Sequence, residues 1–215
     1  RQFVATISTD GNAPTGYDTL ADCLDSITAD TGNYVKIYQD IGDASATAIL
    51  DTIDVKHNVM IDLNGHKLNN IKLGVNKLGV NKDVTLTLTG TAGSYVTQVY
   101  VRKGGGSFII DSEANVEFNT IFVEDSARLA VNDGAKVTTE QLTVIASVND
   151  DGTTTTSVKL ATGMKLGGLT YHRQNNSGAL KLGNLLDVTR QALRREDNGN
   201  YLDLYKEYGS MGKIG

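Results

Sequence analysis

The chain is poor in proline, cysteine and tryptophan. Its 215 residues include one proline (Pro14), one cysteine (Cys23) and no tryptophan, against 23 glycines, nine tyrosines and four phenylalanines. A single cysteine excludes an internal disulfide. Cys23 sits among Leu20, Leu24 and Ile27 and reads as a small buried apolar residue, because a catalytic thiol needs a histidine and an orienting group nearby and no such pattern is present. So much glycine with so little proline excludes collagen and argues against disorder. It suits many tight corners between strands whose amides all donate, since proline cannot donate to a ladder. No apolar run approaches the roughly 18 residues of a membrane-spanning helix. Cations are outnumbered: 20 Lys and Arg against 25 Asp and Glu give a net charge of −5 and a pI near 5.2. That balance argues against nucleic acid as a partner, which requires clustered Lys and Arg. Arg1 is not a natural initiator, so the chain reads as an excised or processed piece and the missing signal peptide is uninformative.

What is present is short, regular β patterning. Val59, Ile61 and Leu63 alternate with Met60 and Asp62, the signature of a strand with one buried face. Asn64-Gly65 supplies a turn that tolerates positive φ, and the chain resumes as His66-Lys67-Leu68. Ahead of the β region, Leu20, Cys23, Leu24 and Ile27 recur at helical spacing, and Thr19 with Asp22 approximates a capping box. The spacing predicts a short helix near 18–29 that covers one end of the body. From residue 34 onward strands follow closely: Val35-Lys36-Ile37, Val84-Leu86-Leu88, Tyr95 to Val101, Phe108-Ile109-Ile110, Val116-Glu117-Phe118, Ile121-Phe122-Val123, Leu129-Ala130-Val131, Lys136-Val137-Thr138 and Leu142 to Val148. Polar corners such as Glu124-Asp125-Ser126 and Asn132-Asp133-Gly134 separate many of them. The pentapeptide Lys72-Leu73-Gly74-Val75-Asn76 recurs at once as Lys77-Leu78-Gly79-Val80-Asn81 and reads as an extended loop or corner. This rhythm predicts an all-β parallel β-solenoid (β-helix) of triangular rungs. Residues 1–33 form an opening strand and capping helix, 34–183 the solenoid body, and 184–215 a closing hairpin through Asn198-Gly199. A helix over 184–195 is the alternative at that end, because Leu185, Val188 and Ala192 share a helical face. The expected core includes Val59, Ile61, Leu63, Val84, Leu86, Leu88, Val116, Phe118, Val123, Val131 and Val137.

Three stretches together resemble modules of large surface proteins of Gram-positive and gut bacteria: Leu20-Ala21-x-x-Leu24, Val35-Lys36-Ile37-Tyr38-x-Asp40, and Val59-x-Ile61-Asp62-Leu63-Asn64-Gly65-His66-x-Leu68. The end of the chain, Ala192-Leu193, Asn198-Gly199 and Tyr201-Leu202-Asp203, is loosely similar to the way such modules close. The resemblance is good over 17–70, holds only in style through the strand-rich middle, and is loose over 190–205. It implies a right-handed parallel β-helix of the pectin-lyase-like type in a secreted or wall-anchored, adhesin-like bacterial protein. The location implied is extracellular or cell-surface. The Asp-Leu-Asn-Gly-His turn carries no chemistry that the resemblance transfers.

Few residues point to catalysis. His57, His66 and His172 lack the spacing of a metal site, and His66 follows a turn, where it serves the corner. Lys103-Gly104-Gly105-Gly106-Ser107 mimics a phosphate loop, but a strand follows it where a helix N-terminus is needed. Gly74 and Gly79 have phosphate-loop spacing without the required Lys-Ser/Thr. Asp111, Glu113, Glu117, Glu124 and Asp125, with Arg102 and Lys103, are the residue types a polysaccharide lyase or glycoside hydrolase would use; acidic corners also account for them. Asn149-Asp150-Asp151-Gly152 reads as a solvated turn ahead of a weak calcium loop. Asn175 heads an N-x-S sequon, relevant only in a eukaryotic secretory host. No catalytic residue, metal ligand or cofactor is assigned. Tyrosine is the main aromatic. Tyr34 and Tyr38 share a strand face, and Tyr95 and Tyr100 share one across a pleat irregularity. Outward tyrosines on a flat β surface stack on sugars or anchor protein partners. The expected function is a non-enzymatic surface module, adhesin-like or stalk-like. It would be a monomeric part of a larger protein and meet a glycan or a host or cell-wall component without nucleic acid or membrane insertion. A polysaccharide lyase or glycoside hydrolase is the alternative, and enzymatic activity stays open.

Overall fold

The computed structural model describes residues 2–42, 52–68, 70–71, 74–75, 77–161, 164–175, 186–187, 193–197 and 200–203. The chain opens with strands β1 (Ala5–Thr9) and β2 (Thr15–Tyr17), helix α1 (Leu20–Asp25) and strand β3 (Asn33–Ile37). Next come β4 (Thr52–Val55), β5 (Val59–Asp62), β6 (Lys67–Leu68), β7 (Asn70–Ile71), β8 (Gly74–Val75), β9 (Lys77–Val80), β10 (Thr85–Thr89) and β11 (Ser94–Val101). The remainder is β12 (Ser107–Ile110), β13 (Asn115–Val123), β14 (Arg128–Val131), β15 (Lys136–Ala146), β16 (Ser157–Lys159), β17 (Met164–Arg173), β18 (Leu186–Asp187), β19 (Leu193–Asp197) and β20 (Asn200–Asp203).

These strands make two nine-stranded sheets and a two-stranded antiparallel pair, β7 with β8. The first sheet runs β18-β16-β14-β12-β10-β5-β3-β1-β2. The second runs β20-β19-β17-β15-β13-β11-β9-β4, with β6 beside β11. From β9 to β19 successive strands alternate between the two sheets, so most sheet neighbours are two elements apart in the chain. Within the two nine-stranded sheets pairing is parallel except at the ends, where β1 pairs antiparallel with β2 and β3, and β19 with β20.

This arrangement corrects the expected all-β right-handed parallel β-solenoid. The fold is mixed α/β, with two sheets of mainly parallel strands and one short helix among the described residues, and it is not a β-helix of triangular rungs. The error has a local cause. The polar residues between them separate Phe118 from Ile121, and Thr138 from Leu142, into different short strands in the sequence reading, yet β13 and β15 are continuous strands of 9 and 11 residues. Each bends where its burial alternation slips by one residue. The skipped positions Thr97, Asn119 and Glu140 fall in line across β11, β13 and β15, with Gly167 next on β17. Polar residues at a bend look like corners in a sequence. The second copy of the duplicated pentapeptide likewise forms β9 and not a loop, while residues 72, 73 and 76 lie outside the described residues. At the other end, residues 186–187 and 193–197 are strands, against the alternative helix over 184–195, and Asn198-Gly199 lies outside the described residues.

The core lies against the inner sides of the sheets, in columns set by parallel register. Val35, Ile61, Leu88, Ile110 and Val131 stack through the first sheet. Val55, Val80, Val101, Val123 and Val144 stack through the second. β-branched side chains suit such stacks, because their restricted rotamers fit a pleated surface. All eleven expected core positions are buried. Helix α1 is shorter than expected. Its Thr19 hydroxyl accepts from the Asp22 N–H at 3.1 Å, and it buries Leu20, Cys23 and Leu24. At the Asn64-Gly65 turn φ is +52° and +80°, so both residues occupy the left-handed region.

Two substitutions probe this fold. Ile61 is fully buried, so Ile61→Asp strands a charge in the core and should cost more than about 4 kcal/mol, a large share of an ordinary domain's stability. A melting temperature close to the parent's would disprove the register. At Gly167 an added Cβ would meet the Glu140 carbonyl oxygen at 2.4 Å, whereas at Gly168 it would meet the movable end of the Gln141 side chain at 2.6 Å. Gly167→Ala should therefore lose about 1–3 kcal/mol in denaturant melts, with Gly168→Ala clearly milder; equal losses would show that the bend does not require the close approach.

Candidate functional site

The four outward tyrosines fall into two pairs on different sheets. Tyr34 lies on β3 of the first sheet and Tyr38 directly follows that strand on the same face. The Tyr34 hydroxyl donates to Asp62 Oδ2 on neighbouring β5 at 2.8 Å, and Asp62 Oδ1 accepts the Asn64 N–H at 2.8 Å. Burial, then the bond to Asp62, pushes the Tyr34 phenol from 10.0 up to about 12. Between the two tyrosines Lys36 faces the same way, its Nζ 6.0 Å from the Tyr38 ring centroid. The face therefore carries two aromatics, one cation and one anion in a row of fixed register.

Tyr95 and Tyr100 lie on β11 of the second sheet. Five positions separate them, so a regular strand would place them on opposite faces. The slip at Thr97-Gln98 returns both to the outer face, half-buried. Tyr95 stands between Lys67 and Glu117 in register. Tyr100 stacks on Phe122 of β13, ring centroids 5.2 Å apart and planes at 29°. Beside this pair runs a column of amides and a hydroxyl, Gln98, Thr120 and Gln141. The Gln141 side chain donates to the Thr170 hydroxyl at 2.8 Å. The sequence alone assigns no site role to Phe122, Lys36 or Asp62. The available signal for Phe122 was its place in the same outward alternation one strand along.

The acidic residues do not converge. Asp111 and Glu113 precede β13, Glu117 is exposed on it, and Glu124 and Asp125 follow it. Nine strand residues at about 3.3 Å each, even bent, hold the two groups on the order of 20 Å apart, well beyond the roughly 5–9.5 Å between carboxylates that share one glycosidic bond. Their oxygens also serve the backbone. Glu124 Oε2 accepts the Lys103 N–H at 2.9 Å, Asp111 Oδ2 accepts the Glu113 N–H at 3.3 Å, and Asp125 accepts from the Ser147 N–H and hydroxyl, each at 3.2 Å, and from the Thr155 hydroxyl. Arg102 is bonded at 3.2 Å to Asp54.

The remaining candidates hold turns together. His57 Nδ1 lies 3.0 Å from Asp30 Oδ1, which also accepts the Asn58 N–H at 3.0 Å. His66 Nδ1 lies 3.1 Å from Asp40 Oδ1, which accepts the Lys67 N–H at 3.0 Å. The Asn58 amide first, and His57 second, hold the Asp30 carboxyl below its ordinary value. Gly104 and Gly105 have φ of +94° and +109° and lead into strand β12, so that loop is a corner. In the Asn149–Gly152 turn Asp151 accepts from the Thr153 N–H and hydroxyl at 2.9 and 2.6 Å. Asn175 bonds the Val148 N–H and C=O, both at 2.9 Å. Burial pushes the Cys23 thiol up to about 12, which keeps it protonated and a poor nucleophile at neutral pH. Among the described residues no group of three or more His, Cys, Asp or Glu is placed to hold a metal, and no helix is long and apolar enough to cross a membrane. No family model, curated protein or solved structure matches the chain.

The raised Tyr34 value has a defined sign. The protonated phenol is favoured in the folded state, so its contribution is complete below about pH 10 and is lost as the pH climbs through about 12. Tyr34→Phe should flatten the alkaline fall of the melting temperature across that window; an unchanged slope would mean that Tyr34 ionises as freely in the folded protein as in the unfolded one.

Proposed function

We propose that the chain is a non-enzymatic module of a secreted or cell-surface bacterial protein, adhesin-like or stalk-like, that offers an outer sheet face to a glycan or to a host or cell-wall component. The observation that carries the reading is the pair of tyrosine-bearing outer faces, each fixed by strand register and each set among polar side chains. Aromatic rings so held provide contact area at little entropic cost, and neighbouring amides and hydroxyls give direction. The likeness of residues 17–70 to bacterial surface modules supports the location, and the acidic balance argues against nucleic acid. The separation of the carboxylates weighs against a glycoside hydrolase on this scaffold.

The test is a screen of the purified chain against glycans, bacterial wall polysaccharides and host matrix proteins, repeated with Tyr34→Ala/Tyr38→Ala and Tyr95→Ala/Tyr100→Ala. A specific hit should weaken about tenfold or more in one double variant, and that variant names the sheet in use. Absence of any hit would favour a plain spacer, and release of products from an acidic polysaccharide would favour the enzyme.

A further inference from the structure

A cleft of about 320 Å³ opens where the core ends, between the β1–β2 hairpin and the segment that follows α1. Its position follows from register. Ile7 pairs with Thr15, Ala5 with Tyr17, and Thr9 with Asn33. Residues directly opposite in antiparallel strands share a face, so all of these point to the side that α1 and residues 26–29 cover. The last apolar residues of that layer are Ile7 and Ile27, 8 % and 7 % exposed. Beyond them the side chains are Thr9, Thr15 and Thr28, all solvent-exposed. The walls are tied together by Asn33. Its Nδ2 donates to the Ala29 carbonyl at 2.6 Å and the Asn58 carbonyl at 2.9 Å, and its Oδ1 accepts from the Thr9 hydroxyl at 3.4 Å.

We propose that this cleft binds a single uncharged sugar residue, such as the end unit of a glycan chain. No charged side chain lines it, which disfavours phosphate, uronate and ammonium ligands alike. The hydroxyls of Thr15, Tyr17 and Thr28 have no hydrogen-bond partner among the described residues. Each both donates and accepts, as the hydroxyls of a sugar require. The Tyr17 ring and the Ile7–Ile27 floor meet the apolar face of a pyranose. The volume lies at the small end of ligand pockets, about 300–1,000 Å³, which suits one ring and no more. The proposal rests on the glycan reading above and adds a second contact point, distinct from the tyrosine faces.

The experiment is an amide NMR titration of the isotope-labelled chain with free glucose, galactose, mannose and N-acetylglucosamine. Shift changes for one of these should be confined to residues 5–33. Thr15→Val/Thr28→Val keeps the shape and removes two hydroxyls, and should weaken binding about tenfold. Ala29→Phe fills the cleft from an exposed position and should abolish binding. Lys159→Ala, an exposed change on β16 away from the cleft, should leave it unchanged. Binding that survives both cleft variants but is lost in Tyr100→Ala overturns the cleft and keeps the glycan reading on the sheet face. No response to any of the four sugars overturns the cleft, and the glycan reading falls with it only if the polysaccharide screen is also blank.

Discussion

Parallel register between strands that are not neighbours in the chain is the constraint on which everything else depends. It places inward side chains in columns from strand to strand, so that Val101 lies in line with Val80, Val123 and Val144. It also demands an N–H at nearly every strand position. The only proline, Pro14, sits in the exposed hairpin tip between β1 and β2, where no ladder bond is lost. Once register is set, outward side chains are fixed as firmly as inward ones. That is how the Tyr34–Asp62 bond and the Tyr100–Phe122 stack arise from residues distant in sequence.

The bend through the second sheet joins fold to function. Two successive residues at Thr97-Gln98 escape the alternation, and only for that reason do Tyr95 and Tyr100 emerge on one outer surface. The same line passes Thr139, a fully buried hydroxyl that donates to the Gln141 carbonyl at 3.0 Å and so stays satisfied within the core. It ends at Gly167, where backbone approaches backbone too closely for a side chain.

What could be read in advance was local. Period-two alternation located the eleven core positions, Thr19 and Asp22 marked the start of α1, and Asn64-Gly65 marked a turn in the left-handed region. Each of those signals lies within a few residues of its effect. What misled was the mapping of polar residues to corners. Asn119 and Glu140 are polar because they sit at a bend in a continuous strand, and alternation alone does not separate a bend from a break. The site was only partly visible for a similar reason. Tyr34 and Tyr38 could be placed on one face by counting, but the division of four tyrosines between two sheets depends on which strand joins which sheet. The cleft was out of reach altogether, because Thr15, Thr28 and Asn33 come together only after the hairpin folds back over the segment behind α1.

The alternation of strands between sheets also sets the order of assembly. No strand in the parallel region can meet its partner until the intervening strand of the other sheet has been laid down, so the long-range pairs cannot form as independent hairpins and folding is expected to be slow. The antiparallel β1–β2 pair at the start of the chain differs, since its two strands are joined by a short turn. It can close early and present β1 as an edge for β3, after which the first sheet extends through β5, β10 and β12, each joining the edge left by the previous strand of that sheet. Growth of the first sheet on that template is expected to run from the N-terminus onward, in the order in which synthesis delivers the chain.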